Sequence, residues 1–134
     1  MAKQLGIQKL KKKLDSIFSR WVRFSAADSR GMVKCFTCDY IEFVKKLQNG
    51  HYVPRQHVMT RFLPDNCRPQ CFICNMRYGG RPQEFRERLI EELGEERVVE
   101  VEQLRHSRES LDRFALEAMI KDYNGRLAEL PEFY

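Results

Sequence analysis

Two stretches, Cys35-Phe36-Thr37-Cys38 and Cys71-Phe72-Ile73-Cys74, decide the reading of this chain; 32 residues lie between them. Each C-x-x-C unit turns tightly enough for its two sulfurs to converge on one cation. Two such knuckles supply the four thiolates that tetrahedral zinc prefers. The interval is longer than that of a simple zinc ribbon, so a further structure is expected between the knuckles. A thiolate-bound zinc contributes folding free energy on the order of 10 kcal/mol, a large term for a chain of 134 residues. The fifth cysteine, Cys67, is left over and is expected as a buried thiol, with a substitute ligand as the alternative. An odd count built on paired C-x-x-C units argues against a secreted disulfide framework. A thioredoxin-like redox motif would need a single C-x-x-C beside a βαβ pattern, and that pattern is absent.

Composition narrows the class. Hydrophobic residues make up 43% and charged residues 32%, enough apolar surface for a packed core and too much for wholesale disorder. No apolar run reaches the roughly 20 residues of a membrane span, and the opening MAKQLGIQKLKKKL has no secretory-signal pattern. The expectation is a cytoplasmic protein without a membrane partner. The net charge of +5 is unevenly spread: residues 1–34 carry +7, residues 35–81 carry +4 and residues 82–134 carry −6. A basic front of this kind suits a polyanion such as DNA, and an acidic back suits protein contacts.

Periodicity yields an α+β chain. Leu10, Leu14, Ile17 or Phe18 and Trp21 predict an amphipathic helix over residues 3–24, with Lys9, Lys11, Lys12 and Lys13 on its polar side. Short strands are expected between Lys34 and Val44. Asn49-Gly50 reads as a turn before a strand at His51–Val53. An irregular stretch marked by Pro54, Pro64 and Pro69 follows. A short helix opens at Asn75 and stops at Gly79-Gly80, and a second runs from Pro82 to Gly94. A last helix begins near Ser107 or Ser110 with an apolar stripe of Leu111, Phe114, Ala118, Tyr123 and Leu127. The organisation expected is a basic helix and loop over 1–30, a zinc-stapled core over 31–94, and an acidic helical segment over 95–134 for packing or dimerisation.

The polar residues between the knuckles carry the chemistry. His51 sits in a predicted strand, Asn66 lies 15 residues later, and Asn75 directly follows Cys74. A stiff knuckle would fix Asn75 and its helix, and the hairpin would present His51 toward them. An imidazole that takes a proton, beside an amide oxygen that holds a hard cation, meets the needs of one-metal phosphodiester hydrolysis. Arg55, Arg61, Arg68, Arg77 and Arg81 surround the stretch, and a guanidinium fork matches phosphate. Tyr52 is expected in the core; Tyr78 suits either the core or stacking on an unpaired base. His57 reads as a surface or DNA contact and His106 as incidental. On residue types alone, a non-catalytic zinc DNA-binding module and a zinc-organised protein-interaction module remain the alternatives.

The order C-x-x-C, His, Asn, C-x-x-C-Asn resembles the HNH, or ββα-metal, nuclease motif. More closely, Gly50-His51-Tyr52, Arg55, Arg61-Phe62, Asn66, Gln70-Cys71-x-x-Cys74-Asn75 and Gly80 resemble the phage NinG/Rap recombination endonucleases, an endonuclease VII-like group. The upstream Trp21-Val22-Arg23 and Gly31…Cys35-x-Thr37-Cys38 extend the likeness to roughly residues 15–95. The resemblance implies a zinc-stapled ββα-metal core of HNH or treble-clef type, flanked by helices. It also implies an endonuclease acting on branched DNA such as Holliday junctions and D-loops, in the host bacterial cytoplasm. By that likeness His51 is the general base and Asn66 orients it or bridges the hairpin to it. Asn75, with His51, serves a catalytic Mg²⁺ or Mn²⁺, while Cys35, Cys38, Cys71 and Cys74 hold structural zinc. One departure stands out. The HNH pattern often has a metal-binding Asp or His just before the base, and Gly50 stands there. The second ligand is left among Asn49, Gln48, Asp39, His57 and a backbone carbonyl. Symmetric junctions would favour a homodimer.

Overall fold

The computed structural model describes residues 5–133. The expected first helix begins at residue 3, so its first two positions lie outside the described residues. Helix α1 spans Ile7–Ser25 and buries Leu10, Leu14, Ile17, Phe18 and Val22. That spacing places one apolar stripe along the helix. Helix α5, Arg113–Ala128, lies against this stripe and contributes Leu116, Ile120 and Tyr123 to the same core, with Phe62 and Cys67 beneath. Phe18 meets Tyr123 and Phe62 edge-on, at centroid distances of 5.0 and 6.2 Å. Each fully buried large side chain here stabilises the fold by roughly 1.5–3 kcal/mol.

The last helix departs from the sequence expectation. It starts at Arg113, where the Asp112 carboxylate accepts the Ala115 N–H at 2.8 Å as an N-cap. Its buried face is Leu116, Ile120 and Tyr123, flanked by Leu111 and Leu127. Phe114, expected in the stripe, is 81% exposed. At 3.6 residues per turn, Phe114 sits about 200° from Leu116, so packing on α1 leaves it outside.

Two small antiparallel sheets hold the middle of the chain. β1 (Met32–Lys34) pairs with β2 (Ile41–Phe43), and the first knuckle fills the connection. β3 (Gln48–His51) pairs with β4 (Cys67–Gln70), setting His51 opposite Cys67. The expected turn at Asn49-Gly50 is therefore part of a strand, and the strand ends at His51. The glycine answers a close approach: a Cβ on Gly50 would lie 2.0 Å from Gln70 Oε1. The buried Gln70 amide occupies that space and donates to Thr37 Oγ1 at 3.0 Å and to the Gly80 carbonyl at 2.9 Å.

Between β3 and β4 the chain makes a compact loop containing one helical turn, α2 (Val58–Arg61). After β4, the second knuckle leads into a π-helical turn at Ile73–Arg77, which begins ahead of the expected Asn75. Gly79 and Gly80, both at positive φ, end it. Helix α3 then spans Pro82–Leu93, with Pro82 in its first turn as expected. The next stretch, with Val98 and Val101 buried, is helix α4, Glu95–Gln103, entered through Gly94 at φ 86°. Val98 packs on Phe85 and Leu89 of α3; this i, i+3 burial overrides the strand preference of valine. Among the described residues no helix is long and apolar enough to cross a membrane.

Phe18→Ala should lower unfolding free energy by about 3–5 kcal/mol, while Phe114→Ala should move it by no more than about 0.5 kcal/mol. Urea denaturation of both variants checks this; equal losses would contradict the α1–α5 core.

Candidate functional site

The sulfur atoms of Cys35, Cys38, Cys71 and Cys74 lie within 4.8 Å of one another. Cys38 Sγ is 3.8 Å from Cys71 Sγ. A tetrahedron with about 2.3 Å metal–sulfur bonds has edges of about 3.8 Å. Donors already point at the sulfurs: the Cys71 N–H reaches Cys35 Sγ at 3.3 Å and the Cys74 N–H reaches Cys71 Sγ at 3.4 Å. The Arg81 Nε–H reaches Cys74 Sγ at 3.1 Å. Such bonds favour thiolates. Burial alone would raise the Cys35 thiol, yet the Cys71 and Thr37 hydrogen bonds bring it down to about 6. Burial and the neighbouring sulfurs push Cys38 up to about 12. Four sulfurs this close can all carry charge only around a cation. The cluster could hold a structural zinc, and none of the five cysteines is in a disulfide.

On the other side of the π-helical turn lies an open cavity of about 600 Å³. α1 lends it Asp15, β3 lends Asn49 and His51, the following loop lends Arg55, the π-helical turn lends Asn75, and Arg105 closes a further edge. His51 is half-buried at the end of β3. Its Nε2 lies 2.9 Å from the Arg61 carbonyl oxygen. A carbonyl only accepts, so Nε2 carries the hydrogen and Nδ1 keeps the lone pair. Burial holds the imidazole below its ordinary pKa, against the upward pulls of the Arg61 carbonyl and Asp15. At neutral pH the ring is therefore an uncharged base.

Asn66 is fully buried, and its side chain hydrogen-bonds to Val53 and Thr60, not to His51. Its Oδ1 accepts the Val53 N–H at 2.7 Å, and its Nδ2 donates to the Val53 and Thr60 carbonyls at 3.0 Å each. It closes the β3–β4 loop on itself and so places the Arg61 carbonyl that orients His51. Asn75 donates Nδ2 to Gln48 Oε1 at 2.7 Å, which leaves its Oδ1 without a partner among the described residues. Asn49 also faces the cavity, and its Oδ1 is buried with no hydrogen bond. Of the other candidate second ligands, Asp39 is engaged by Arg88 Nη2 at 3.0 Å beside the first knuckle, Gln48 holds Asn75, and His57 does not line the cavity. Two amide oxygens, one of them orphaned, are hard neutral donors of the kind Mg²⁺ accepts.

The arginines have separate surroundings. Arg55 lines the cavity with a 59% exposed side chain, 3.5 Å from Asp15. Arg61 grips the Asp15 carboxylate through two hydrogen bonds, one of them Nε to Oδ1 at 2.9 Å. Arg68 pairs with Glu92 at 2.9 Å and donates to the Pro64 carbonyl at 2.7 Å. Arg81 serves the sulfur cluster, and Arg77 is exposed on the π-helical turn. Asp15 and Arg105 were missed in the sequence. A lone acid beside Lys9, Lys11, Lys12 and Lys13 was the signal for Asp15; nothing local marks Arg105. Tyr52 packs on Phe85 at 5.7 Å and gives its hydroxyl hydrogen to Glu102, as core placement requires. Cys67 is a buried thiol whose pKa is raised by that burial.

The sequence matches the family model described as Bacteriophage Lambda NinG protein over residues 2–132. The chain belongs to the NinG family. This is a phage recombination-related family, in line with the resemblance carried by the His51, Asn66 and Asn75 stretches. No curated protein and no solved structure gives a significant match. In this family member one short segment, residues 71–81, contributes both to the cysteine cluster, through Cys71 and Cys74, and to the His51 cavity, through Asn75, Gly79 and Gly80.

Cys71→Ser should remove zinc and, with it, the cooperative unfolding transition. Zinc analysis per chain and far-UV circular dichroism measure the two effects; a folded variant that keeps one zinc would refute the four-sulfur site.

Proposed function

We propose that this NinG-family protein is a metal-dependent endonuclease that hydrolyses phosphodiesters in branched DNA, built on an HNH-like ββα-metal core. The observation that carries the reading is the imidazole of His51. It is neutral, held through Nε2 by the Arg61 carbonyl, and shares a cavity with Asn75, Asn49 and Arg55. In this reading β3, β4 and the π-helical turn are the ββα unit. His51 Nδ1 takes the proton of the attacking water. Arg55 and Arg105, at the cavity edges, bind phosphate oxygens and orient the strand. Asn66 and Arg61 keep the base in position and touch no substrate. Asn75 Oδ1 and the orphaned Asn49 Oδ1 would hold Mg²⁺ or Mn²⁺, with His51 as a further neighbour; the ion, when bound, would stabilise charge on the scissile phosphate and leaving oxygen.

The basic front of the chain supports DNA as partner, with the Lys9, Lys12 and Lys13 side of α1 exposed beside the cavity wall. Among the described residues no helix presents a regular row of base-reading side chains, which fits recognition of DNA shape. The symmetry of a junction makes two copies acting together part of the proposal, in a bacterial cytoplasm where such DNA forms. The alternative, a zinc DNA-binding module without catalysis, would leave His51 without a role.

His51→Ala should leave zinc content and junction affinity near wild type and lower Mg²⁺-dependent cleavage by at least about 10²-fold. Gel assays on branched and linear duplexes decide between the two readings, because undiminished cleavage by the variant would favour the binding module. The pH profile offers an independent check. His51 is depressed below its ordinary value, so the neutral base persists as pH falls through 6.5. The acid limb of cleavage should therefore lie below that of a solvent-exposed histidine, and an acid limb above pH 6.5 would contradict this assignment.

A further inference from the structure

The turn that carries Asn75 has a second face. Phe72, Ile73, Met76 and Tyr78 are each more than half exposed, at 54%, 51%, 59% and 57%. Cys74 points inward to the sulfur cluster and Asn75 lines the cavity. Large apolar side chains concentrated this way are uncommon on a folded monomer, and they mark a contact surface. Phe72 and Ile73 line a groove of about 530 Å³ together with Tyr40, Glu42, Lys46, Arg81 and the cluster cysteines Cys38, Cys71 and Cys74; Met76 and Tyr78 lie on the same stretch of chain outside it. Tyr40 is 58% exposed, and the Arg81 guanidinium lies over the Tyr78 ring, 4.1 Å from its centroid. Among the described residues Glu42 is the carboxylate in the groove lining, and its Oε1 accepts the Phe43 N–H at 3.1 Å. With Arg77 exposed on the same turn, this face sets Tyr40, Phe72 and Ile73 above the sulfur cluster and carries Lys46, Arg77 and Arg81 at its margin.

That combination discriminates between partners. A self-pairing or peptide-binding apolar face gains little from Lys46, Arg77 and Arg81, whereas flat aromatic faces beside cations match unstacked nucleobases on a phosphate chain. Duplex bases are stacked on one another and present no open face. Bases at a branch point are displaced from the stack and do. We propose that this exposed face takes unpaired or unstacked bases at a DNA branch, with Phe72 in the groove and Tyr78, beside it across Arg81, as stacking platforms. Because Asn75 and these rings ride on one turn, a branch seated in the groove would hold the adjoining strand at the His51 cavity. The inference rests on the branched-DNA reading above and supplies its structure selectivity without any contact to a base edge.

The test is a binding experiment with the full chain and no added divalent cation. A four-way junction and a linear duplex carry the fluorescent adenine analogue 2-aminopurine, at the branch point and at mid-duplex respectively. Wild type should change the emission at the branch point only. The double variant Phe72→Ala/Tyr78→Ala removes exposed rings, so zinc content should stay at one per chain. It should lose the emission change and bind the junction at least about fivefold more weakly, with duplex affinity unaltered. Phe72→Trp/Tyr78→Trp should restore both. Unchanged junction affinity in the alanine variant, or a wild type that leaves branch-point emission unaltered, overturns the proposal. So does a variant whose sole defect is loss of a dimer in sedimentation, since the surface would then belong to a second copy. Cleavage is read separately with Mg²⁺: stacking without cleavage sinks the nuclease and spares the groove, and cleavage without stacking does the reverse.

Discussion

Convergence of four sulfurs from two distant C-x-x-C units is the constraint on which the middle of this molecule rests. Neither two-stranded sheet is large enough to stand alone, since a hairpin of three or four residues per strand is marginal in water. The apolar core is also divided. One cluster joins α1 to α5, a smaller one surrounds Val33, Val44 and Leu47, and a third lies under Phe85 and Leu89. The sulfur cluster couples the β1–β2 hairpin to the end of β4. The Phe36 N–H to the Pro69 carbonyl, at 2.9 Å, and the buried Gln70–Thr37 bond reinforce the same junction. A bound zinc would supply there the free energy that so thin a core lacks.

From that clamp the geometry of the cavity follows in short steps. Gln70 can lie over β3 because Gly50 has no side chain, so this position is used for packing. The β3–β4 register then sets His51 across from Cys67. The intervening loop, closed by Asn66, brings the Arg61 carbonyl to the imidazole, and Cys67 Sγ shares that carbonyl at 3.7 Å. Asp15 holds the Arg61 side chain from the opposite wall, tying the orientation of the ring to the position of α1. A histidine fixed by a carbonyl and depressed by burial is more useful as a base than a free one, because its lone pair has a set direction and its neutral form prevails.

Much of this was legible along the chain because the signals were local. The two knuckles, the helix of Leu10, Leu14 and Phe18, the stop at Gly79-Gly80 and the restart at Pro82 each depend on residues within a few positions. Asn49-Gly50 misled because a glycine required by close approach looks identical, in sequence, to one required by a turn. Helix α4 was not legible because its valines carry no helical preference of their own, and only burial, as of Val98 against α3, makes the stretch helical. Phe114 misled because several apolar residues near the start of α5 offered two possible stripes, and only the cap at Asp112 and the surface of α1 choose between them.

By itself the sequence determined the four-sulfur cluster, the α+β class, the basic front and the grouping of His51, Asn66 and Asn75 between and beside the knuckles; spacing and residue chemistry suffice for these. Tertiary structure alone decided which atom holds the imidazole, that Asn66 clamps a loop through Val53 and Thr60 and not through the ring, and that Asp15 and Arg105 reach the cavity from remote helical segments. It also divided the arginines between cavity, carboxylates and sulfur. The physical reason is that hydrogen bonds and ion pairs are set by distances across the fold, between residues 46 positions apart in the Arg61–Asp15 pair, and no local pattern encodes such a distance.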